Sequence, residues 1–383
     1  MVILTAITKQ GKIIITANYS NEQLKELRNK NSFLCMQCQE EVILKNGMIN
    51  IPHFAHKQNS SCSESFSEGE SEDHHYGKLQ LYSFFQRLKV QAQLEPFIPT
   101  IKQRPDILVQ CDKTNFAIEF QCSPVLVSTI QKRKLGYQNE QIIPLWILRK
   151  PPKYELPTQE IGMMQLSAFR KQFISRHSTY GNTIITYCPQ AKHFHYLSNL
   201  MHIKTNTYIV KSKSLSLEKQ SWPFALLKRL TFEEYLIYLR LYKQQRMKHL
   251  NNIYIYNRKG IQSPFLQVCY RWQVLPRNLP LFIGIPTSFA EAFHVHAIEW
   301  QIQLIDYLNI MHVSIDQVTD FHCESFLQNR PIGKGSNNRM FEAIKIYIQL
   351  LQRCIEKSNS SIQLSKIDIP KMNHLLYVDF LAN

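Results

Sequence analysis

The sequence predicts an α+β chain in three parts. Residues 1–66 form a small cysteine- and histidine-bearing module, 67–150 a compact α-β-β-β-α-β core, and 151–383 a mainly helical basic region. Three observations carry this expectation. A Cys-x2-Cys pair, two histidines and a third cysteine crowd into residues 35–62. From Ser71 to Lys150 the apolar residues switch from helical spacing to alternation and back. Pro151, Pro152 and Pro157 then punctuate the chain, and leucines at helical spacing follow.

In chain order, residues 1–15 alternate around Lys9-Gln10-Gly11-Lys12 and read as a hairpin. Ser20 with Gln23 caps a short helix carrying Leu24 and Leu27. Glu40 to Gly47 reads as a strand and turn, which makes the first module a ribbon-like hairpin rather than a helical finger. The run SSCSESFSEGES at 60–71 reads as a flexible acidic joint. Leu79, Tyr82, Phe85 and Leu88 place a helix up to about Arg87. Val90 to Leu94, Ile107 to Val109 and Phe116 to Cys122 read as strands. Ser128 with Gln131 caps a second helix ending near Glu140, and IIPLWIL at 142–148 is a further strand that Pro144 assigns to an edge or makes irregular. Beyond the prolines, Pro223 opens a helix whose stripe is Leu226, Leu227, Leu230, Leu236 and Leu239, and residues 338–354 form another amphipathic helix.

Composition bounds the partners. The 383 residues are 44% hydrophobic and 19% charged, enough for two or three folded domains. A formal charge of +16, concentrated in the strongly basic stretch 201–260, favours a polyanion: DNA, RNA or an acidic membrane face. Nine cysteines, only one pair of them at motif spacing, argue against a disulfide scaffold and for a reducing compartment, the cytoplasm. The opening MVILTAITKQGKIII lacks the basic leader of a signal peptide, and no run approaches the roughly 20 apolar residues of an integral membrane segment.

Two constellations carry chemistry. Cys35, Cys38, His53, His56 and Cys62 compete for the four corners of a zinc tetrahedron. The set Cys35, Cys38, His56 and Cys62 is preferred, with His53 as the substitute, and such a closed site holds a domain together rather than doing chemistry. The plainer alternative makes the cysteines ordinary loop residues and packs His53 beside Phe54. The second constellation is acidic. Asp106 follows Pro105 at a strand start, Glu119 sits inside the next strand where an apolar residue is expected, and Glu72 and His75 stand one turn apart on the preceding helix. Gln121 shares a strand face with Glu119. Asp106, Glu119 and Glu72 could together hold Mg²⁺ or Mn²⁺ against a phosphate. Alternatively, Glu119 pairs with Lys78, Arg104 or a lysine of the following helix, and Asp106 is a turn residue.

Pro105-Asp106 with Glu119-Phe120-Gln121 resembles the signature of the PD-(D/E)xK nuclease superfamily, which implies a restriction-endonuclease-like core. More narrowly, the chain resembles the bacterial competence protein CoiA family. The resemblance runs through ILTAITKQGKI, Cys35-x2-Cys38, Pro52-His53-Phe54-Ala55-His56, Ser71-Glu72 to Gly77-Lys78-Leu79, Lys102 to Asp106, Ala117 to Ser123 and Lys134 to Tyr137. It implies Asp106 and Glu119 as metal ligands, Glu72 as a helix-borne acid, and Gln121 in the place of the lysine that activates water. Glutamine cannot act as that ammonium does, so Lys78, Lys132 or Lys134 would have to substitute. The implied role is processing and recombination of incoming single-stranded DNA during natural transformation, alongside recombination and DNA-uptake proteins, in the cytoplasm or peripherally at the membrane uptake site. The alternative is a catalytically inactive nuclease fold acting as a DNA-binding accessory or scaffold. A basic face on anionic lipid is a third, more distant reading.

Overall fold

The architecture was read from a computed structural model, which describes residues 2–47, 51–57, 62, 71–152, 156–177, 181–224, 227–256, 260–329, 332, 337–354 and 368–382. Most of the expected joint at 60–71 and Leu226 lie outside the described residues. The chain divides into two units: residues 1–151, 184–196 and 213–226 form the first, and 152–183, 197–212 and 227–383 the second.

The first unit begins with a six-stranded antiparallel sheet. Its strands are β1 (Val2–Ile3), β2 (Thr5–Thr8), β3 (Ile13–Ile15), β4 (Phe33–Leu34), β5 (Glu41–Lys45) and β6 (His53–His56), in the order β1-β6-β5-β4-β2-β3. Gly11, at φ +84°, makes the β2–β3 turn that the sequence anticipates. Helix α1 (Asn21–Lys30) starts on a Ser20/Gln23 capping box and buries Leu24. In β5 only Val42 and Leu44 face inward, where they join Ile3, Ile14, Phe33, Cys35 and Phe54.

The core of this unit has the element order read from the sequence. It runs α2 (Glu72–Arg87), β7 (Gln91–Leu94), β8 (Ile107–Cys111), β9 (Thr114–Gln121), α3 (Val127–Asn139) and β10 (Ile142–Arg149). Strands β7, β8 and β9 are antiparallel neighbours, and β10 returns parallel to β9 through the α3 crossover. Helix α2 lies against this sheet through Leu81, Phe84 and Phe85. Ser71 caps α2, whereas α3 starts at Val127 without a side-chain cap and Ser128 falls inside its first turn.

Two expectations are corrected here. Strand β10 is interior, since it also pairs in parallel with β13 (Gly181–Cys188). Pro144 is tolerated because it lies where β10 pairs with β9, ahead of the register with β13 that begins at Ile147. The core also does not end at Lys150. Beyond β13, β14 (His193–Lys204) adds a further strand, and the 213–226 segment returns with Trp222 against Phe85 and Phe116 at 5.2 and 5.1 Å.

The second unit opens with β11 (Ile161–Gln165), the short helix α4 (Ala168–Lys171) and β12 (Ser175–His177), and β15 (Thr207–Ser216) pairs antiparallel with β11. The C-terminal region is therefore mainly helical only from Phe232 onward; 161–216 is mostly strand. Its helices are α5 (Phe232–Tyr256), α6 (Pro264–Arg271), α7 (Ala297–Ile310), α8 (Asp320–Asn329), α9 (Asn337–Cys354) and α10 (Ile369–Ala382). Pro223 does not open α5. Thr231 does, through a reciprocal pair of bonds: Glu234 N–H to Thr231 Oγ1 and Thr231 N–H to Glu234 Oε2. Helix α7 is buried nearly all round, and its Asp306 accepts from Arg271 and from Trp272 Nε1 at 3.0 Å. Tyr235, Tyr238 and Tyr242 are core residues of α5, so they are not available to stack on bases.

The packing gives two expected outcomes. A Cβ at Gly77 would stand 2.1 Å from the Phe120 ring. Gly77→Ala should lower the urea midpoint, at a cost of about 1–3 kcal/mol, and an unchanged midpoint would show that the ring yields freely. The second concerns acid. Burial holds His202 down to about 4, and His296 well below the ordinary range. As pH falls below about 6.5 the unfolded chain takes up protons that the native chain refuses, so stability declines with acidification. The drop in thermal midpoint from pH 7 to pH 5 should shrink in a His202→Gln, His296→Gln variant; an equal drop would assign the effect elsewhere.

Candidate functional site

One metal-ligand cluster and one buried acidic network are built into the first unit. In the cluster, the ligand atoms of Cys35, Cys38, His56 and Cys62 all lie within 4.8 Å of one another. A tetrahedral zinc–sulfur site places its ligands about 3.8 Å apart, so small adjustments bring this set onto one ion. The knuckle is formed locally: Gln39 N–H bonds to the Cys35 carbonyl at 2.9 Å, and Gln37 N–H reaches the Cys35 sulfur at 3.4 Å. Cys38 Sγ stands 3.4 Å from His56 Nε2. Burial and then the neighbouring thiols push Cys62 up to about 12, and burial, with Cys35 adding to it, raises Cys38. Such a group of thiols calls for a cation.

Strand pairing selects the histidine. In the β5–β6 register Val42 opposes His56 and Leu44 opposes Phe54, so His56 shares the inward face with the core and with Cys35. His53, three residues earlier, projects to the other face. There its Nδ1 bonds to the Ile51 carbonyl at 2.8 Å and its ring stacks on His75 at 6.4 Å. It stands outside the four-residue cluster.

The acidic network is assembled around Lys78. This lysine is 1% exposed and donates to Glu95 Oε1 at 2.7 Å, with Asp106 Oδ1 at 3.8 Å. The other Glu95 oxygen takes the Leu4 N–H at 2.8 Å, tying the N-terminal sheet to the core. Asp106 Oδ2 accepts the Phe120 N–H at 2.8 Å and faces His74 Nε2 at 3.2 Å. Glu119, fully buried, accepts from both Arg133 and the Tyr137 hydroxyl. Burial raises its pKa, Arg133 opposes that, and the nearby Asp106 adds to it. Burial likewise raises Tyr137, with Glu119 reinforcing it. Three carboxylates are thus set against Lys78 and Arg133, with His74 alongside.

The remaining expected residues sit differently. Glu72 is exposed in the first turn of α2. His74 and Lys78, four residues apart, turn toward Asp106; Glu72 is about 200° round the helix from His74 and so faces away. Gln121 spends its amide on the Ser123 carbonyl at 2.7 Å. Lys132 is exposed and Lys134 half-buried, while Arg133 between them is the α3 cation that meets Glu119. Among the described residues, the cysteine–histidine cluster is the one place where three or more potential metal ligands converge.

Two models of one family match this chain in sequence: "Competence protein CoiA, N-terminal domain" over residues 16–65 and "Competence protein CoiA, nuclease-like domain" over 70–230. The chain belongs to the competence protein CoiA family. It is 39% identical over 186 residues to the Competence protein CoiA of Bacillus subtilis (strain 168), a match covering 49% of this chain and 47% of that relative. The chain thus spans about half the length of the curated relative it matches. No solved structure matches it significantly.

In this CoiA-family chain both constellations fall inside the matched residues. Sequence reasoning missed Glu95, His74, Arg133 and Tyr137. Glu95 follows a strand at φ +48° beside Pro96 and reads as a turn residue. Arg133 and Tyr137 did leave a signal, their i,i+4 spacing on a helix facing the Glu119 strand.

The geometry predicts which substitutions release metal. The purified chain should carry one bound metal ion by elemental analysis, lost in Cys38→Ser and His56→Ala and retained in His53→Ala. Retention in His56→Ala would overturn the assignment.

Proposed function

We propose that this chain binds and processes incoming single-stranded DNA and promotes its recombination during natural transformation. Its partners would be recombination and DNA-uptake proteins, and its place the cytoplasm or the membrane-associated uptake site. Family membership supports this, as does the nuclease-like domain match over 70–230. No described helix is long and apolar enough to cross a membrane. The observation that carries the chemistry is a pair of carboxylates, Asp106 just ahead of β8 and Glu119 in the neighbouring β9, held close enough for Asp106 to raise the Glu119 pKa. Burying acids together costs several kcal/mol unless they are compensated, and such pairs mark functional sites. In a restriction-endonuclease-like core these two would hold Mg²⁺ or Mn²⁺, which supplies an activated water for phosphodiester cleavage. In the cysteine–histidine cluster, three sulfurs and one imidazole favour structural zinc.

A second reading, a catalytically inactive nuclease-fold accessory that binds DNA, is favoured by specific observations. Lys78 and Arg133 already compensate the acids, so the residues present do not make a finished divalent-ion site. Gln121 occupies the usual lysine position with its amide engaged by Ser123.

Incubation with end-labelled linear and circular single-stranded DNA, with and without Mn²⁺, separates the two. Metal-dependent products that vanish in an Asp106→Asn, Glu119→Gln variant are the expected result; the isosteric changes spare the packing. Equal binding by both proteins with no product from either would leave the accessory reading.

A further inference from the structure

The second unit carries two grooves that meet on α5. One, of 980 Å³, is lined by Arg170, Lys204 and Lys248, with Met163 and Leu166 also among its lining residues. The other, of 630 Å³, is lined by Arg240, Lys243 and the same Lys248, beside Leu236 and Met247. No aspartate or glutamate among the described residues lines either groove. Among the described residues, Lys204, Arg240, Lys243 and Lys248 have no ion-pair partner, in contrast to Lys211, which is paired with Glu234 and Glu160.

Helical phase produces this face. Leu236, Arg240, Lys243 and Met247 recur at i, i+4, i+7 and i+11 on the exposed side of α5, while Tyr235, Tyr238, Tyr242 and Arg246 turn into the core. The positive field reaches the histidines behind the wall. After burial, Lys171 contributes to holding His202 down to about 4, and Lys204 is among the groups depressing His296. Lys171 itself is turned to Asn206 Oδ1 at 2.9 Å, another residue of the larger groove.

The geometry points to a continuous track along Arg170, Lys204, Lys248, Lys243 and Arg240 that binds the phosphate backbone of single-stranded DNA. The inference rests on the proposal that this chain handles such DNA, and adds a binding surface outside the acidic core. Arg240, Lys243 and Lys248 lie beyond the residues that either family model matches. Four cations of the track, Lys204, Arg240, Lys243 and Lys248, without an ion-pair partner among the described residues, suit a polyanion, and the shared Lys248 makes the trough longer than a mononucleotide needs. Exposed apolar side chains, Met163, Leu236 and Met247, line the same grooves. A flexible single strand can turn its bases onto them, whereas a bilayer needs its apolar contacts on a convex face. The lining is aliphatic and thioether instead of aromatic, so phosphate contacts dominate and binding is strongly salt-dependent.

The test uses the full chain and fluorescein-labelled dT30, with affinity read by anisotropy between 50 and 300 mM salt. The groove variant is Arg240→Gln, Lys243→Gln and Lys248→Gln, all at exposed positions. Its control removes the same charge from the first unit, by Lys25→Gln, Arg28→Gln and Lys30→Gln. The groove variant should bind at least tenfold more weakly at 100 mM salt. Its slope of log K against log salt should flatten by about 2, at about 0.7 per lost phosphate contact, while the control stays near wild type. Equal weakening in both variants would show that net charge alone matters, and would overturn the track. So would a groove variant that binds dT30 normally but no longer sediments with phosphatidylserine vesicles. If wild-type protein bound no dT30 at all, the proposed function would fail too. If wild type and groove variant bind it alike, only the track fails.

Discussion

A buried ammonium organises the first unit. Lys78 is sealed between Glu95 and Asp106, and removing a charge from water costs several kcal/mol that only close countercharges offset. Because Glu95 spends its second oxygen on the Leu4 N–H, the same charge joins the N-terminal sheet to helix α2 and the strands beyond. Gly77 belongs to this constraint: without a Cβ, the helix approaches the Phe120 ring closely enough for Lys78 to reach its acids. The arrangement fixes one geometry more than it adds stability, since breaking such a pair is far more costly than never having built it.

Glu119 extends the same logic one strand further. Its neighbour Asp106 and its own burial favour the neutral acid, and Arg133 with Tyr137 favours the anion. Two carboxylates are thereby kept together at a low-dielectric place where neither would persist alone. This is an expensive arrangement, kept only because Arg133, Tyr137 and Lys78 stand against the acids.

The two units solve the problem of a small hydrophobic budget differently. The N-terminal sheet has a core of only a few buried side chains, among them Cys35, and the sulfur–imidazole cluster closes it where apolar burial is short. The second unit instead buries helix α7 almost completely and satisfies its amide and carboxylate side chains from inside. Gln301 accepts the Gly284 and Ile285 N–H groups at 2.6 and 3.0 Å, and Asp306 is held by Arg271 and Trp272. The cations Arg240, Lys243 and Lys248 of α5 stay outside this core, at exposed positions.

Local chemistry was legible in the sequence. The Ser20/Gln23 capping box, the Cys-x2-Cys knuckle, the Pro105-Asp106 strand start and the α-β-β-β-α-β order follow from spacing within a few residues, and periodicity reports them directly. The expected Ser128 cap and Pro223 helix start, by contrast, do not form. What required distant segments was not legible. Glu95 finds Lys78 and Leu4 across 17 and 91 residues, Pro144 is accommodated within an interior strand, and β13 and β14 return to a core that the prolines seemed to close. The sequence by itself determined which groups could ligate, cap or titrate. Only the tertiary structure decided that His56 rather than His53 faces the cysteines, and that Arg133 rather than a lysine meets Glu119. Strand register and helix phase assign each side chain to a face, and pairing between remote segments decides what that face meets.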